Sequence, residues 1–485
     1  MRIERVSVSH LHAVTGTTFV STLSSLLFGY CTAVICGVVD AIDHNFIAPR
    51  GMSETAANAL LGFAVCAALA GTILGALIAR RTAERLGRKR AMLLASVLFL
   101  VSAFGSAFPE LGFAAVGSLG PEAIWPFISY RVVGGVAVGL ASVIAPLYVA
   151  EFAPNAVRGQ LGVYQQIAIA GGIAMALFVN WGIALQGDDF WVLDVGWRYM
   201  MVSLAVPALA FLWLSLAVPE SPAWLVRHGR IEQARRALSR SASAEEVELM
   251  LGELAAGSHQ QARPEPLFAF GARVVLVGVT LSVLQQLMGL NAFSYYGPQI
   301  LQRMGYHMDN AFLGVLLARC LNLLATMSVV LIVDRVGRKP LLVAGALVMG
   351  VSSMALAGVL GTENAGSLGL AAMCLYMAGL GMSFGPIIWI LMSEIFPAAI
   401  RGQAMSLAIA AQWGANFLVS FTFPIMFGDA GLNALSHGGF AFWVYGGFGV
   451  LAAVLVMRYV PETKGVDGER IGQFWRRHAA VGRSV

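Results

Sequence analysis

The 485-residue sequence contains little charge and almost no lysine. Charged residues make up only 12% of the chain, whereas a soluble globular chain carries about 25%. Hydrophobic residues make up 58%, so the composition excludes an ordinary soluble protein and indicates one that crosses a membrane many times. The net charge of +5 comes from arginines beside apolar spans, where a positive-inside topology places them, and does not indicate nucleic-acid binding.

Cysteine and the usual catalytic patterns are also scarce. The five cysteines are Cys31, Cys36, Cys66, Cys320 and Cys374. All of them fall in apolar segments, and their spacing matches neither a metal site nor a disulfide framework. The sequence has no phosphate-binding loop and no pair of nucleophile and base, so we expect no enzyme, cofactor or metal. It has no Asn-x-Ser/Thr acceptor and no cleavable signal peptide, which fits a bacterial inner membrane.

Twelve long apolar segments dominate the sequence, and each approaches the roughly 20 residues that a helix needs to cross a bilayer. We therefore predict an all-α membrane protein. The predicted spans are 12–39, 56–79, 91–109, 123–150, 157–184, 196–218, 271–303, 310–333, 340–361, 367–393, 402–428 and 438–459. Half of the 28 arginines lie in 80–90, 225–240 and 470–483, which all follow even-numbered spans. The positive-inside rule then places these segments and both termini in the cytoplasm.

Three motifs occur twice at nearly constant offsets. The matching pairs are LGRKR at 86–90 with VGRKP at 336–340, AEFAPNAVRGQ at 150–160 with SEIFPAAIRGQ at 393–403, and VPES at 218–221 with VPET at 460–463. Such a repeat predicts two pseudo-symmetric six-helix halves with a path between them, as in transporters that work by alternating access. The predicted parts are a first half at 1–218, a small helical cytoplasmic linker at 219–266, a second half at 267–466 and a cytoplasmic tail at 467–485.

The seventh span holds a group of polar side chains where an unpaired amide in lipid would be costly. They are Gln285, Gln286, Asn291 and Tyr295. In a regular helix, at roughly 100° per residue, Gln286 and Asn291 would point about 140° apart and could not share a ligand. Gly289 between them, and Gly297-Pro298 after them, favour a discontinuous helix of the kind that transporters place at substrate sites. The alternative is that these amides only bond to neighbouring helices.

Other spans carry amides, glycines and aromatic rings that could converge with this group. They are Gln165 and Gln166 in the fifth span, Asn322 in the eighth, Gly385 and Trp389 in the tenth, and Gln412, Trp413 and Asn416 in the eleventh. Gln412 and Asn416 are four residues apart and so share a helix face. Rings pack on the C–H faces of sugars, and amides hydrogen-bond hydroxyls in both directions, so the mixture indicates a neutral sugar as ligand.

Acidic and basic residues recur in both halves at the predicted cytoplasmic rim. They are Arg85, Arg88, Glu151 and Arg158 in the first half and Asp334, Arg335, Arg338, Glu394 and Arg401 in the second. Opposed charges can hold one gate state closed and separate in the other. We therefore expect Glu151 and Arg158 to face Glu394 and Arg401 across a cytoplasmic gate. The alternative is that these arginines serve only as the positive-inside signal.

With these motifs together, the sequence resembles the sugar porter family of the major facilitator superfamily over about residues 15–466. The motifs are GRK at 87–89 and 337–339, PESPAWL at 219–225, QQLMGLNAFSYY at 285–296, GPIIWILMSEIFPAAIRG at 385–402, AAQWGANF at 410–417 and PETKG at 461–465. The resemblance implies a neutral monosaccharide as substrate and a monomer in the lipid bilayer. The pocket residues it implies are Phe28, Gln166, Ile173, Gln285, Gln286, Asn291, Tyr295, Asn322, Gly385, Trp389, Gln412 and Trp413.

The sequence departs from proton-coupled members of that family at the position expected to carry the proton. Those members have a first-span Asp paired with the arginine that corresponds to Arg131, whereas this sequence has Cys31. Xylose-transporting members also have a sixth-span Glu where Leu204 stands and a fifth-span Gln where Ile173 stands. A thiol, with an unperturbed pKa of about 8.5, carries protons poorly at neutral pH. We therefore expect facilitated diffusion of a hexose such as glucose, with xylose as the alternative sugar.

Three further alternatives follow from the residues. A proton symporter would need another titrating group, and the predicted spans contain no carboxylate. A sugar sensor on a transporter scaffold would usually have a long cytoplasmic tail, which 466–485 is not. A carrier of sugar acids would use Arg319 of the eighth span, where family relatives usually have a small or apolar residue, with a uronate or aldonate as its counter-ion. Arg319 could instead snorkel or bond carbonyl groups between helices.

Overall fold

Helix is the only regular secondary structure in the part of the chain that the structure describes. The computed structural model describes residues 8–112, 114–152, 158–239, 244–257, 266–360, 362, 365–397, 399–464, 471 and 475. Twelve helical stretches within these ranges are long and apolar enough to cross a membrane, which confirms the predicted count. Helices suit this environment because each one satisfies its own backbone hydrogen bonds where no water is available.

The described part of the first half contains nine helices, of which five long ones each cross the bilayer and the last three together form the sixth span. They are α1 Val8–Ala33, α2 Val39–Ile42, α3 Glu54–Leu86, α4 Arg88–Ala107, α5 Ile124–Phe152, α6 Arg158–Ala184, α7 Asp189–Trp191, α8 Trp197–Ser203 and α9 Ala205–Ala217. A 3-10 turn, Val34–Gly37, joins α1 to α2. Wide π-turns, Asp43–Ile47 and Val192–Gly196, follow α2 and α7.

A small helical unit connects the two halves and packs on one end of the bundle, which we call the linker end. Its helices are α10 Pro222–Arg227, α11 Ile231–Leu238 and α12 Ala244–Gly257. Trp224 and Leu225 of α10 form a separate small core with Leu238 and Val247. The Trp224 indole Nε1 donates to the Glu84 carbonyl oxygen at 2.9 Å, which attaches the unit to the end of α3.

The second half repeats the long helices of the first but has more interruptions. Its helices are α13 Ala272–Leu287, α14 Leu290–Tyr295, α15 Gly297–Arg303, α16 Met308–Val336, α17 Arg338–Val359, α18 Ala365–Met382, α19 Ile387–Ile395, α20 Arg401–Gly428, α21 Ala430–Ser436 and α22 Phe440–Tyr459. The halves meet along their lengths where α3 packs on α20 and α6 packs on α16. At the end opposite the linker, called the far end, α14 and α15 also contact the 3-10 turn of the first half.

The seventh span is discontinuous, as the sequence predicted. Gly289 has φ +91° in the left-handed region, and it separates α13 from α14. A second interruption separates α14 from α15, where Pro298 occupies the first turn of the new helix. The tenth span also breaks, because α18 ends at Met382 and α19 begins at Ile387 after Gly385-Pro386.

Replacing Gly289 by alanine tests this break. The left-handed backbone costs a non-glycine residue about 1–2 kcal/mol, and a Cβ atom would also overlap the Tyr445 ring. We expect Gly289→Ala to lower the thermal stability of the purified protein and to reduce transport by an order of magnitude or more. Gly182→Ala in α6 is the matched control, because a Cβ there meets nothing within 4 Å and helix propensity favours alanine. Equal melting temperatures for the two variants would contradict the assigned role of Gly289.

Candidate functional site

The break at Gly289 brings side chains from both sides of it into direct contact. The Asn291 Nδ2 donates to Gln286 Oε1 at 2.7 Å, although a regular helix would point the two apart. Gln286 Nε2 lies 3.4 Å from Gln285 Oε1, which also accepts from Gln412 Nε2 of α20 at 2.8 Å. Gln285 Nε2 donates to the Phe384 carbonyl oxygen at 2.6 Å, at the break between α18 and α19. We call these four side chains, Gln285, Gln286, Asn291 and Gln412, the amide cluster.

Aromatic rings close the space between the amide cluster and the first half. The ring centroids of Phe28 on α1 and Trp413 on α20 are 5.9 Å apart, so this pair links the two halves next to Gln412. Tyr295 is buried in the same break, four residues after Asn291. The structure therefore brings residues that were predicted from separate spans into one region between the halves.

The remaining predicted pocket residues have less direct links to the amide cluster. Asn322 on α16 donates to the Met377 carbonyl oxygen at 3.0 Å. Gly385 donates its backbone N–H to the Leu380 carbonyl oxygen at 2.9 Å within the tenth-span break. The others are only half-buried: Gln166 and Ile173 on α6 and Trp389 on α19.

The amide cluster retains unused hydrogen-bonding capacity. Gln412 Oε1 is buried and has no partner among the described residues, so it can accept a bond from a ligand. Amide side chains carry both donors and acceptors, and hydroxyl groups can meet both. A ligand that replaces the bonds within the cluster by bonds to its own hydroxyls would leave no amide unsatisfied. Polyhydroxylated, uncharged molecules fit this chemistry.

The residues at the expected proton-coupling position lie together in the first half. Arg131 on α5 is 1% exposed, and its Nη2 donates to the Cys31 carbonyl oxygen at 3.3 Å. Its Nε and Nη1 have no hydrogen-bond partner in the described part of the chain. No ion pair involving Arg131 occurs there either. The guanidinium therefore lies beside a backbone carbonyl and a thiol-bearing residue, without a carboxylate.

The three motifs of the sequence repeat assemble into one cluster at the linker end of the first half. Arg88, at the start of α4, makes a two-point ion pair with Glu151 of α5, with distances of 3.0 Å from Nε and 2.6 Å from Nη2. The Glu220 carboxylate accepts from the backbone N–H groups of Arg88 and Lys89, so it caps the positive end of α4. Ser221 donates its hydroxyl to Glu151 and closes the cluster.

The second half contains the same cluster. Arg338 pairs with Glu394 at 2.9 Å, and Thr463 donates to Glu394 at 2.5 Å. The Glu462 carboxylate accepts from the backbone N–H of Arg338 and of Lys339, each at 3.0 Å. Burial opposes ionisation of Glu462, but the surrounding backbone N–H donors outweigh it and hold the pKa of this carboxyl below its usual value.

The ion pairs at the linker end thus lie within each half. Glu151 pairs with Arg88, Glu394 pairs with Arg338, and Asp334 adds a second bond to Arg338 at 2.9 Å. Arg401 donates instead to the Phe396 carbonyl oxygen at 3.2 Å. Arg85 and Arg335 are exposed, and the Arg158 side chain lies outside the described residues.

Two capping residues of these clusters were not identified as site residues from the sequence. Glu220 and Glu462 occur in VPES and VPET, whose nearly constant offset was recognised but used only to define the halves. The signal that could have found them is the pairing of each Glu with a Gly-Arg-Lys motif in the same half.

A contact between the halves at the far end was also not predicted. The Asp40 carboxylate of α2 accepts from Gln299 Nε2 at 2.6 Å and from Gln302 Nε2 at 2.9 Å, both on α15. Burial raises the pKa of Asp40, and the amide donors lower it in part, while Asp189 adds to the rise. This contact holds α2 of the first half against α15 of the second half at the far end.

The fold has two repeated six-span halves, an interrupted helix and a polar cluster between the halves. Together these features define a membrane transporter. Comparison with known proteins makes the class more specific. Residues 17–475 match the family model described as Sugar (and other) transporter. The chain is 42% identical to the D-xylose-proton symporter of Escherichia coli (strain K12), covering 94% of this chain and 95% of that protein.

Two further comparisons agree. The chain is 38% identical to the glucose facilitated diffusion protein of Zymomonas mobilis, covering 96% of this chain and 98% of that protein. The structure matches the inward-open conformation of the xylose transporter XylE from E. coli with a TM-score of 0.84 and 40% identity, covering 95% and 100% of the two chains. The chain belongs to the Sugar (and other) transporter family, the sugar porters of the major facilitator superfamily. It is a multi-pass sugar transporter, and its relatives are transporters rather than enzymes.

The raised pKa of Asp40 predicts a pH dependence of the far-end contact. Opening the far end would hydrate Asp40 and return its pKa toward the ordinary value, so a proton binds more tightly in the closed form. The extra stability of the closed form is therefore present at low pH and is lost as pH rises through the raised pKa. We expect low pH to favour closure, and Asp40→Asn, which carries no titrating group, to remove the dependence.

Distances between labels on the two halves measure this closure. Ala48 and Ala434 are exposed at the far end, one on each half. Labels attached there through an introduced unnatural amino acid leave the native cysteines in place. The long-distance population should rise as the pH rises in the parent chain and stay constant in Asp40→Asn. Glu122→Gln, at an exposed carboxylate that pairs with Arg50, is the control and should keep the pH dependence.

Proposed function

We propose that this protein is a facilitative carrier of a neutral hexose, with glucose preferred over xylose, in the inner membrane of a bacterium. One observation carries the proposal of facilitated diffusion: Arg131 lies beside Cys31, and no carboxylate of the described residues contacts it. In this arrangement nothing at the coupling position exchanges a proton readily near neutral pH. The sugar therefore crosses down its own gradient as the two halves alternate between exposure to one side and to the other.

The named relatives include both modes of transport. One is named a proton symporter and another a facilitated diffusion protein, and the chain aligns with nearly the whole length of both. Because the shared fold is compatible with both modes, the difference has to come from particular side chains. A buried carboxylate beside Arg131 would change charge when it binds a proton, whereas a backbone carbonyl does not.

The sugar preference rests on Ile173, which the family resemblance places in the pocket. Ile173 is apolar and half-buried on α6, next to the close contact between α6 and α1 at Gly29. An apolar side chain offers no hydrogen-bond partner to a hydroxyl, but an exocyclic CH₂ group can pack against it. This residue type favours a six-carbon sugar, because a pentopyranose lacks that group.

The proposal includes an orientation and a working unit. The linker-end arginines and the α10–α12 unit face the cytoplasm, because positive charge is retained on that side. Both termini are then cytoplasmic, the far end opens to the outside, and a monomer contains the complete path. The parts follow the predicted boundaries at 1–218, 219–266, 267–466 and 467–485.

Sugar uptake by the purified protein in proteoliposomes tests the proposal directly. We expect labelled glucose to enter down its gradient faster than labelled xylose, without accumulation and without alkalinisation of the outer medium. An imposed pH gradient should leave the final glucose level unchanged. Proton movement that follows the sugar would overturn facilitated diffusion, and faster xylose uptake would overturn the hexose preference.

Restoring a carboxylate at the coupling position provides a sharper test. Cys31→Asp places a titrating group beside Arg131, so we expect uptake to become pH-dependent and a pH gradient to drive accumulation. For one proton per sugar, one pH unit corresponds to at most about tenfold accumulation. Cys31→Asn is the matched control, because it has nearly the same shape but does not titrate. Accumulation in both variants, or in neither, would show that this position does not determine coupling.

A further inference from the structure

Arg319 of α16 is a buried cation that the proposed transport of a neutral hexose does not use. Its side chain is 3% exposed, and Nη2 donates to the Ser294 hydroxyl of α14. Its Nε has no partner in the described ranges, and none of the ion pairs found there includes it. The titratable groups that face it are Cys36, Tyr295 and Tyr376, none of which is a carboxylate. A buried guanidinium without a counter-ion is costly and indicates a functional role.

The position of Arg319 relative to the pocket follows from helix geometry. Ser294 is three residues after Asn291 on α14, and Arg319 is three residues before Asn322 on the antiparallel α16. Residues at this spacing share a helix face and are separated by about 4.5 Å along the axis. Arg319 and Ser294 therefore lie about one helical turn closer to the far end than Asn291 and Asn322 do.

The unused donors of Arg319 are arranged for a carboxylate. Nε–H and one N–H of Nη2 lie on the same edge of the planar guanidinium, where they can bond both oxygens of a carboxylate. Nη2 carries two protons, so it can keep Ser294 while the second proton faces the ligand. Charge-assisted bonds of this type are stronger than neutral ones, particularly where water is excluded.

We propose that Arg319 forms a carboxylate subsite, so that this carrier also binds and translocates hexuronates, with the sugar ring on the amide cluster and the C6 carboxylate on Arg319. The proposal rests on the proposed function in one respect, namely that the amide cluster binds a monosaccharide. Arg319 and Asn291 are offset by about one helical turn along the bundle. This offset is comparable with the distance in a hexuronate between the C6 carboxylate and the hydroxyls on the opposite edge of the ring. The bound anion also supplies the counter-charge that the described spans do not provide to Arg319.

Glucuronate and glucuronamide distinguish this subsite from general sugar binding. They share the same ring, but only glucuronate carries a negative charge at C6. In proteoliposomes of the purified full chain, we expect unlabelled glucuronate to inhibit uptake of labelled glucuronate at least tenfold better than glucuronamide does. Arg319→Gln should remove this preference and Arg319→Lys should retain part of it. Arg303→Gln, at an exposed arginine that contacts Phe427, should keep it in full.

Membrane potential supplies a second readout that needs no variant. Facilitated diffusion of an anion carries one charge, so an inside-positive potential of about 59 mV should accumulate glucuronate about tenfold, whereas glucose should not respond. Absence of glucuronate uptake in the parent chain, or equal inhibition by the acid and the amide, would overturn the subsite. Uptake of glucuronate without uptake of glucose would support the subsite and overturn only the hexose preference of the proposed function.

Discussion

Every polar group in the membrane interior of this protein must find its partner within the protein, because lipid offers none. The interruption of the seventh span at Gly289 is where this requirement has the greatest effect. It exposes backbone ends and turns Asn291 back toward Gln286, so that amides from two spans satisfy each other around Gln285. A site built in this way can exchange bonds within the cluster for bonds to a hydroxylated ligand with little net change in free energy. Such an exchange allows a carrier to bind its substrate and also to release it.

The same requirement gives each half a rigid linker end. The first-half cluster joins Arg88, Glu151 and Glu220, which belong to three different parts of the chain, and the second half repeats it. Ion pairs that combine with helix caps resist distortion, so each half can move as a unit. The contact of Asp40 with two glutamines at the far end is smaller and is made of exchangeable polar bonds. We therefore expect motion between the halves to break the Asp40 contact rather than the ion pairs within each half.

Among the buried polar groups of the described residues that keep unused hydrogen-bonding capacity, two are arginines. Arg131 in the first half and Arg319 in the second are almost fully buried, and each has unused donors. Arg131 has no carboxylate partner among the described residues, which is the basis for the proposed facilitated diffusion. Arg319 adds a positive charge one turn from the amide cluster, which is the basis for a carboxylate subsite. Both proposals on the charges that accompany the sugar therefore depend on these two guanidiniums.

The sequence alone determined the number of spans, the two-fold repeat, the break at Gly289 and the residue types of the amide cluster. These features could be predicted because each depends on a local property: the length of an apolar run, the recurrence of a motif, or a glycine between amides. It also indicated that Arg131 and Arg319 lack acidic partners within the spans.

Only the tertiary structure decided which charged and polar groups meet. Arg88 and Glu151 are 63 residues apart and Asp40 and Gln299 are 259 apart, so no local pattern relates them. The gate residues were expected to face one another between halves, whereas the ion pairs of the described residues lie within each half. Glu220 was assigned to the start of the linker, and its capping of α4 follows only from the way α10 folds back on the bundle. Hydrogen bonds and ion pairs depend on distances of about 3 Å, which are set by how the helices pack.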